Sequence, residues 1–323
     1  MHETPVLHVK DLHVAFAVDK NTVPVVRGLS YALKPGQVLA VVGESGSGKT
    51  VHALSILRLL PPAAQISGGE ILYQGENLCN LPLPKLRRLR GQKIAMIFQD
   101  PSASLNPVLT IGEQLTETLR AHKKITKAQA CQEAAQLLEK VGISDAQKRL
   151  NEYPFQFSGG MCQRVMIAMA LALSPDILIA DEPTTALDVT IQAQIIRLIK
   201  QLQQKSRMAV IFITHNLALA SQLADEILVM YGGLCMEQAP ATELFARPLH
   251  PYTKGLLASL ASIHTRPERL PAIAGQPPVA GEILAGCPFA PRCAHATEKC
   301  RRELPPLREI GVRKVRCFWE LDK

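Results

Sequence analysis

The stretch from Gly43 to Thr50, which reads Gly-Glu-Ser-Gly-Ser-Gly-Lys-Thr, is the strongest constraint on how this 323-residue chain folds. It follows an apolar run of strand length at 38–42, and it precedes a segment at 51–60 whose apolar residues recur at helical spacing. A glycine-rich turn between a strand and a helix lets backbone N–H groups converge on phosphate oxygens, and the positive end of the helix favours the same anion. The sequence therefore predicts that this loop binds a nucleoside triphosphate.

The last two residues of the loop are predicted to carry its charge and metal chemistry. Lys49 is expected to reach the β- and γ-phosphates, and the Thr50 hydroxyl is expected to ligate Mg²⁺. An ordinary glycine turn before a helix is the alternative, and the flanking strand and helix make it weak. The predicted nucleotide-binding residues of the loop are Gly43, Glu44, Ser45, Gly46, Ser47, Gly48, Lys49 and Thr50.

Short apolar strands alternate with helical patterns along most of the chain, which predicts an α/β core with a parallel sheet. A mainly helical insertion interrupts this alternation at about 105–173. After residue 246 prolines accumulate and the periodic patterns fade. We therefore predict a nucleotide-binding domain over 1–246, with the helical subdomain inside it, and a separate extension over 247–323.

Composition and charge limit the cellular location of the protein and the classes of partner that it can bind. No apolar run approaches the roughly 18 residues needed to cross a bilayer, and the N-terminus lacks an apolar signal core. We expect a cytosolic protein that meets membranes only through partners. The net charge is +8, and the segment after Ala246 holds thirteen Lys and Arg against seven Asp and Glu. A basic tail of this kind is compatible with nucleic acid, with an anionic membrane surface or with a bound anionic group.

Two carboxylates follow the buried strand predicted at 177–180. Asp181 and Glu182 stand where phosphate-loop ATPases hold Mg²⁺ and activate water. Asp181 is expected to orient metal-bound water, and Glu182 to polarise the water that attacks the γ-phosphate. An acidic turn that merely ends a strand is the common alternative, and it loses weight downstream of a phosphate loop.

The run Phe157-Ser158-Gly159-Gly160-Met161 resembles the signature motif of ATP-binding cassette proteins. A hydroxyl and open backbone N–H groups before a helix form an anion site. The resemblance covers about residues 5–245. It implies a phosphate-loop core with a mixed or parallel sheet and a helical subdomain, and it implies that the signature motif closes on ATP held by a second subunit.

The same resemblance assigns roles to single residues elsewhere. It implies that Gln99 contacts Mg²⁺ and water and senses the membrane partner, and that Asp188 bridges two subunits. It also implies that His215 contacts the γ-phosphate and that Phe16 stacks on adenine. The implied catalytic residues are Glu182, His215 and Gln99, and the implied Mg²⁺ ligands are Thr50, Gln99 and Asp181.

Two residues depart from the family pattern. Cys162 stands where Arg is usual, and Asn216 follows His215 where Asp is usual. Neither change removes a phosphate contact, so we expect ATP hydrolysis to persist.

Three blocks are similar to ATPases of dipeptide, oligopeptide and nickel importers: 99–107, 181–190 and 250–253. This resemblance implies an ATPase subunit at the cytoplasmic face of the inner membrane, peripheral to two permeases. It also implies a second cassette ATPase, a paralogue rather than a copy of this chain, and an extracytoplasmic solute-binding protein. The surface that couples to the permeases is expected at 99–107 and in the helical subdomain.

The transported substrate contacts the permeases and the binding protein, so the sequence of this chain does not specify it. Di- or oligopeptides are the favoured substrates, and nickel and glutathione are the alternatives within the family. A non-transport cassette ATPase acting on ribosomes or DNA is the alternative from another class. A single phosphate loop and a modest insertion argue against it, so no nucleic acid is expected.

Four of the eight cysteines lie in the extension: Cys287, Cys293, Cys300 and Cys317. The 287–293 stretch resembles the tail motif of peptide importer ATPases, some of which carry a 4Fe–4S cluster. We predict such a cluster here, with Arg292 and neighbouring arginines offsetting its negative charge. Four thiolates suit zinc equally well, and buried free thiols are the third alternative, because the number of thiolates does not select a metal.

Overall fold

The computed structural model of the protein describes residues 4–19, 21–100, 104–185, 187–259, 273–278 and 285–319. The chain divides into a first unit, Met1–Asn80 with Phe212–Lys323, and a second unit, Leu81–Ile211. Strand β8, Ala209–Thr214, begins in the second unit and ends in the first. The predicted domain boundary at residue 246 lies inside the first unit and stays a prediction.

An antiparallel sheet of four strands forms one part of the first unit. Its strands are β1 (Leu7–Val18), β2 (Asn21–Leu33), β4 (Ala64–Tyr73) and β5 (Glu76–Asn77), in the order β2-β1-β4-β5. Strand β1 pairs along most of its length with both β2 and β4. Leu7, Val9, Leu12 and Val14 on β1 are wholly buried, so this strand supplies much of the apolar face of the sheet.

A mixed sheet forms the other part of the first unit. Its strands are β3 (Val38–Val42), β9 (Glu226–Tyr231), β10 (Leu234–Pro240), β11 (Arg308–Ile310) and β12 (Arg313–Val315). Strand β3 runs parallel to β9, while β9–β10, β10–β12 and β11–β12 are antiparallel pairs. All five residues of β3 are buried, as expected for a strand of a parallel pair covered on both faces.

The described part of the first unit contains five helices: α1 (Lys49–Ile56), α8 (Leu217–Leu223), α9 (Ala241–Ala246), α10 (Pro251–Ala258) and α11 (Glu298–Arg302). Helix α1 is shorter than the helical pattern at 51–60, because Arg58 adopts the left-handed backbone conformation, with φ 49°, that ends helices. A core cluster joins β9, β10 and the extension, with Tyr231, Met236, Tyr252 and Phe289 among its buried members.

A buried carboxylate ties the extension to this sheet. Glu237 on β10 is 0% exposed and pairs with Arg313 on β12, with Oε1 and Nη2 2.9 Å apart. Its two oxygens also accept the backbone N–H groups of Leu249 and His250, at 2.8 and 2.9 Å. Three donors therefore satisfy this charge, and all three lie beyond residue 246.

The second unit is mainly helical. Strands β6 (Ile94–Ile97) and β7 (Ile177–Asp181) pair in parallel. The helices are α2 (Leu83–Leu89), α3 (Ile111–His122), α4 (Lys127–Lys140), α5 (Ala146–Arg149), α6 (Gly159–Leu171) and α7 (Val189–Ser206). Capping boxes at Thr110 and Thr126 fix the starts of α3 and α4. Within the described residues, no helix of either unit has the length and apolarity to cross a membrane.

Candidate functional site

The predicted phosphate loop connects β3 to α1, and its three glycines differ in what surrounds them. Gly43, Gly46 and Gly48 have φ values of 157°, 78° and 97°. A Cβ at Gly43 would lie 2.2 Å from the carbonyl oxygen of Met230, and one at Gly48 would lie 2.8 Å from that of Val25. A Cβ at Gly46 would meet no described atom within 4 Å. The two outer glycines therefore permit close packing, while Gly46 borders open space.

The start of α1 suits a bound anion. Its N-cap, Gly48, contributes no side-chain cap, and the sequence of its first turn contains no acidic residue, so the positive end of the helix is not neutralised. Lys49 is 5% exposed and donates from Nζ to the carbonyls of Gly43 and Glu44, at 2.8 and 2.9 Å. The buried Ser47 Oγ has no hydrogen-bond partner among the described residues. Because an unpaired buried hydroxyl is costly, a phosphate oxygen is a fitting partner for it.

The other predicted residues of the first unit lie at element ends or edges. Thr50 is exposed in the first turn of α1. Phe16 is half-buried on β1, opposite Val23 on β2 and Ala64 on β4. No contact of these two side chains identifies a ligand, so their roles stay predictions.

His215 is exposed between β8 and α8. The residue after it, Asn216, is the N-cap of α8, and its Oδ1 accepts the backbone N–H groups of Ala218 and Leu219 at 2.9 and 3.4 Å. Asn and Asp cap helices equally well through the side-chain oxygen. The departure from the usual Asp is therefore compatible with the local structure.

The second unit brings Gln99, Asp181 and Glu182 to one place. Asp181 ends β7 and is 2% exposed. Glu182 follows with φ 45°, a left-handed conformation that is strained for a residue with a Cβ. Its Oε2 accepts hydrogen bonds from Gln99 Nε2 at 3.4 Å and from Thr185 Oγ1 at 2.9 Å. The carboxylate is thus held by two neutral donors.

The signature motif and the loop at Asp188 are neighbours in the second unit. Ser158 is the N-cap of α6, where its Oγ accepts the N–H of Met161 at 3.3 Å. Asp188 is the N-cap of α7, where its Oδ1 accepts the N–H of Ile191 at 2.9 Å. A Cβ on Gly160 would lie 2.9 Å from Ile191 Cγ2. Both polar side chains therefore cap helices, and their predicted contacts to a second subunit stay predictions.

Cys162, the other departure from the family pattern, is 7% exposed. Its Sγ donates to the carbonyl of Pro154 at 3.5 Å, and burial raises the pKa of the thiol. The residue therefore acts as a small buried side chain within the helical unit.

The partners of Glu44 were not predicted from the sequence. Its carboxylate forms a two-pronged ion pair with Arg292, with Oε2–Nη1 and Oε1–Nη2 distances of 2.6 and 3.1 Å. In the structure Arg292 pairs with this residue of the phosphate loop, and its expected role of offsetting the charge of a metal cluster stays a prediction. The only signal in the sequence was an acidic residue inside a loop that binds anions.

The four cysteines of the extension share one neighbourhood of the first unit. The N–H of Cys287 donates to the carbonyl of Cys300 at 2.8 Å. Burial raises the pKa of the Cys287 thiol to about 11, and the nearby Cys317, Cys300 and Cys293 act in the same direction. The N–H of Trp319 donates to the Sγ of Cys317 at 3.3 Å, which is the kind of contact that stabilises a thiolate ligand.

These thiols are suitable ligands, but they do not form a complete metal site as arranged. Across the ranges that the structure describes, no group of three or more His, Cys, Asp or Glu side chains is placed to hold a metal ion. The donor chemistry fits zinc or an iron–sulfur cluster. The structure supports only the statement that the four thiols lie near one another.

Comparison with known proteins identifies the family. Residues 26–185 match the family described as ABC transporter, and residues 236–300 match the oligopeptide/dipeptide transporter C-terminal region. The chain is 50% identical over 301 residues to the dipeptide transport ATP-binding protein DppD of Bacillus subtilis, covering 93% of this chain and 90% of the relative. It is 46% identical over 318 residues to the oligopeptide transport ATP-binding protein OppD of Escherichia coli, covering 98% and 94%.

A solved structure agrees with the fold. The dimeric post-hydrolysis state of the ATP-binding cassette MJ0796, bound to ADP and Pi, matches with a TM-score of 0.66 and 26% identity over 73% of this chain and 98% of that one. The predicted family, fold class and ATPase activity are thereby confirmed. This chain is an ATPase of the ATP-binding cassette transporter family, in the group that carries the oligopeptide/dipeptide transporter C-terminal region.

Proposed function

We propose that this chain hydrolyses ATP to power the import of di- or oligopeptides through a pair of membrane permeases. The observation that carries the proposal is the presence of both matched regions, 26–185 and 236–300, in one chain. Relatives named for dipeptide and oligopeptide transport match almost its whole length. A cassette ATPase acting on ribosomes or DNA has no comparable support.

The first unit binds the phosphates in this proposal. The backbone of 43–48, the Ser47 hydroxyl and the start of α1 surround the phosphate oxygens, and Lys49 neutralises their charge. Thr50, Gln99 and Asp181 would hold Mg²⁺, and the ion would neutralise charge that develops on the phosphates. Phe16 stacks on the adenine.

The second unit and His215 act on the reaction itself. Glu182 polarises the attacking water, and the hydrogen bonds from Gln99 and Thr185 orient its carboxylate. His215 contacts the γ-phosphate. General-base assistance of this type contributes about 10²- to 10⁴-fold in rate.

To drive the permeases, this chain must pair with a second cassette ATPase subunit. Ser158, Gly159 and Gly160 contact ATP held by that subunit, a paralogue of this chain, and Asp188 bridges the pair. Coupling to the permeases runs through 99–107, of which 101–103 lie outside the described residues, and through the helical subdomain at about 105–173. The chain sits peripherally at the cytoplasmic face of the inner membrane, and an extracytoplasmic binding protein delivers the substrate.

The extension over 247–323 holds a 4Fe–4S cluster on Cys287, Cys293, Cys300 and Cys317 in this proposal. Its support is the shared neighbourhood of the thiols and the match to the peptide transporter C-terminal region. Anaerobic purification followed by iron, sulfide and zinc analysis tests it. Iron and sulfide that disappear in Cys293→Ser but persist in Cys131→Ser support the cluster. Zinc alone, or no metal, contradicts it.

The function is tested by affinity purification of the protein from membranes in mild detergent, under anaerobic conditions. Two polytopic permeases and a second cassette ATPase are the expected partners. Reconstitution of that assembly with its binding protein should give peptide-stimulated ATP hydrolysis. Ribosomal or DNA-repair proteins without a permease would contradict the importer function.

A further inference from the structure

Each polar group of Glu44, the second residue of the phosphate loop, has a partner. Its N–H donates to the hydroxyl of Tyr252 at 3.0 Å, and its carbonyl accepts from Lys49 Nζ at 2.9 Å. Its carboxylate accepts from both terminal nitrogens of Arg292. Two of these partners lie beyond residue 246. The extension therefore holds the phosphate loop at the residue whose carbonyl Lys49 also contacts.

Arg292 is fixed by the use of all five guanidinium N–H groups. Besides the two bonds to Glu44, Nε donates to the carbonyl of Ala274 at 2.9 Å, Nη2 to that of Ile273 at 3.3 Å, and Nη1 to the hydroxyl of Tyr231 at 3.1 Å. The side chain is 6% exposed. A fully used planar guanidinium cannot shift without breaking bonds, and lysine cannot reproduce its geometry.

The turn that presents Arg292 also carries two cysteines. Ala290–Arg292 forms a single 3₁₀ turn between Cys287 and Cys293. Within it, the backbone closes through bonds from residue 290 to residue 287 and from residue 293 to residue 290, at 3.0 and 3.3 Å. Phe289 is 3% exposed and packs against Tyr252, with ring centroids 5.2 Å apart. A movement of the backbone of this turn therefore displaces Cys287, Cys293 and the guanidinium of Arg292 together.

We propose that Arg292 is a positioning residue for the phosphate loop, through which nucleotide binding is coupled to the state of the cysteine-bearing turn. The coupling depends on the proposed function only in that the loop binds nucleotide. Because coupling between two sites is reciprocal, nucleotide on the loop stabilises the turn at 287–293, and disturbance of the turn lowers nucleotide affinity by the same factor. This role of Arg292 is separate from offsetting the charge of a metal cluster.

The test uses the full chain with reduced thiols and MgADP as the probe, because ADP binding needs neither hydrolysis nor a permease. Dissociation constants are measured for the wild type, Arg292→Gln, Glu44→Gln and the double variant. Each single variant should weaken binding about tenfold, within the range of allosteric couplings, and the double variant should be no worse than either. Arg302→Gln is the matched control, since Arg302 is 76% exposed and pairs only with Glu298 among the described residues.

A second readout separates coupling from simple structural support. Alkylation of Cys293, which is partly exposed, is followed by mass spectrometry in the metal-free full chain, with and without MgADP. MgADP should slow the reaction several-fold in the wild type and in Arg302→Gln, but not in Arg292→Gln. If Arg292→Gln does not fold, Glu44→Gln tests the same contact from the loop while leaving the extension unchanged.

Equal MgADP affinity in the wild type and both single variants would overturn the coupling alone. The coupling alone would also be overturned if MgADP left the rate of Cys293 alkylation unchanged in the wild type. A wild-type chain that binds no MgADP would overturn the proposed function as well. Absence of permeases in the purification, with the coupling intact, would overturn only the importer function.

Discussion

The hydroxyl of Tyr252 accepts the backbone N–H of Glu44 at 3.0 Å, although 208 positions separate the two residues. Tyr252 is 0% exposed, and its ring lies 4.6 Å from that of Tyr231, centroid to centroid. The contact therefore joins the first turn of the phosphate loop to helix α10 through a side chain that packing keeps in place.

Removing this hydroxyl should affect both stability and binding. Tyr252→Phe leaves the Glu44 N–H without that acceptor, which costs about 1–3 kcal/mol when the group is buried. We expect a lower melting temperature and weaker MgADP binding. Tyr153→Phe, at a residue that is 37% exposed, is the control and should change neither. Equal effects of the two variants would contradict the contact.

Two glycines of one loop should differ in their tolerance of a methyl group. Gly43→Ala places a Cβ 2.2 Å from the backbone oxygen of Met230, so the chain must move. Gly46→Ala meets no described atom within 4 Å and adds only the cost of a left-handed backbone, about 1–2 kcal/mol. Urea unfolding should show a larger loss for Gly43→Ala. Equal losses would mean that the packing at β9 is not the constraint.

Glu182→Gln should separate catalysis from binding. The amide can still accept from the Thr185 hydroxyl but cannot act as a base. ATP hydrolysis should therefore fall about 10²- to 10⁴-fold, while MgADP affinity stays near that of the wild type. Glu117→Gln, on the exposed face of α3, is the control. Retained hydrolysis in Glu182→Gln would show that another group activates the water.

The pair Tyr31–His52 predicts how stability depends on pH. Tyr31 Oη and His52 Nε2 are 2.6 Å apart, and burial lowers the pKa of His52 to about 4. The ordinary histidine pKa of about 6.5 applies to the unfolded chain, so the unfolded state binds the proton first as the pH falls. Stability should decrease from about pH 6.5 towards pH 4, by at most about 3 kcal/mol, and this residue contributes no pH dependence above that window.

Urea midpoints at pH 7 and pH 5 measure this effect. His52→Gln should flatten the difference between the two pH values, whereas His122→Gln, at the end of α3, should leave it unchanged. An unaltered difference in His52→Gln would assign the acid sensitivity to other groups.

The elements around the phosphate loop were predictable because their signals are local. The apolar run at 38–42 is β3, and that at 177–180 is β7 with one further residue. The apolar residues that recur at helical spacing at 195, 196, 198, 199 and 202 lie on α7, Val189–Ser206. Each is a continuous or periodic apolar pattern that reports directly on burial.

Pairing over long distances was not predictable from the same patterns. Strand β2 spans Asn21–Leu33, although its first residues are polar and it contains Pro24, so no local pattern marks its start. Strands β11 and β12 have three residues each and carry charged side chains. The ion pair of Glu44 and Arg292 spans 248 positions, and nothing local to either residue specifies the other.

Glu237 limits how such a chain can change over evolutionary time. Replacing Arg313 alone would remove one donor from this carboxylate while the N–H groups of Leu249 and His250 remain on it. Stripping the partner from a buried charge costs about 3–5 kcal/mol, a large share of the stability of an ordinary domain. A lineage that loses Arg313 must therefore replace Glu237 with a neutral residue before that change or together with it. The two positions, 76 apart in the sequence, are thus tied to each other's substitutions.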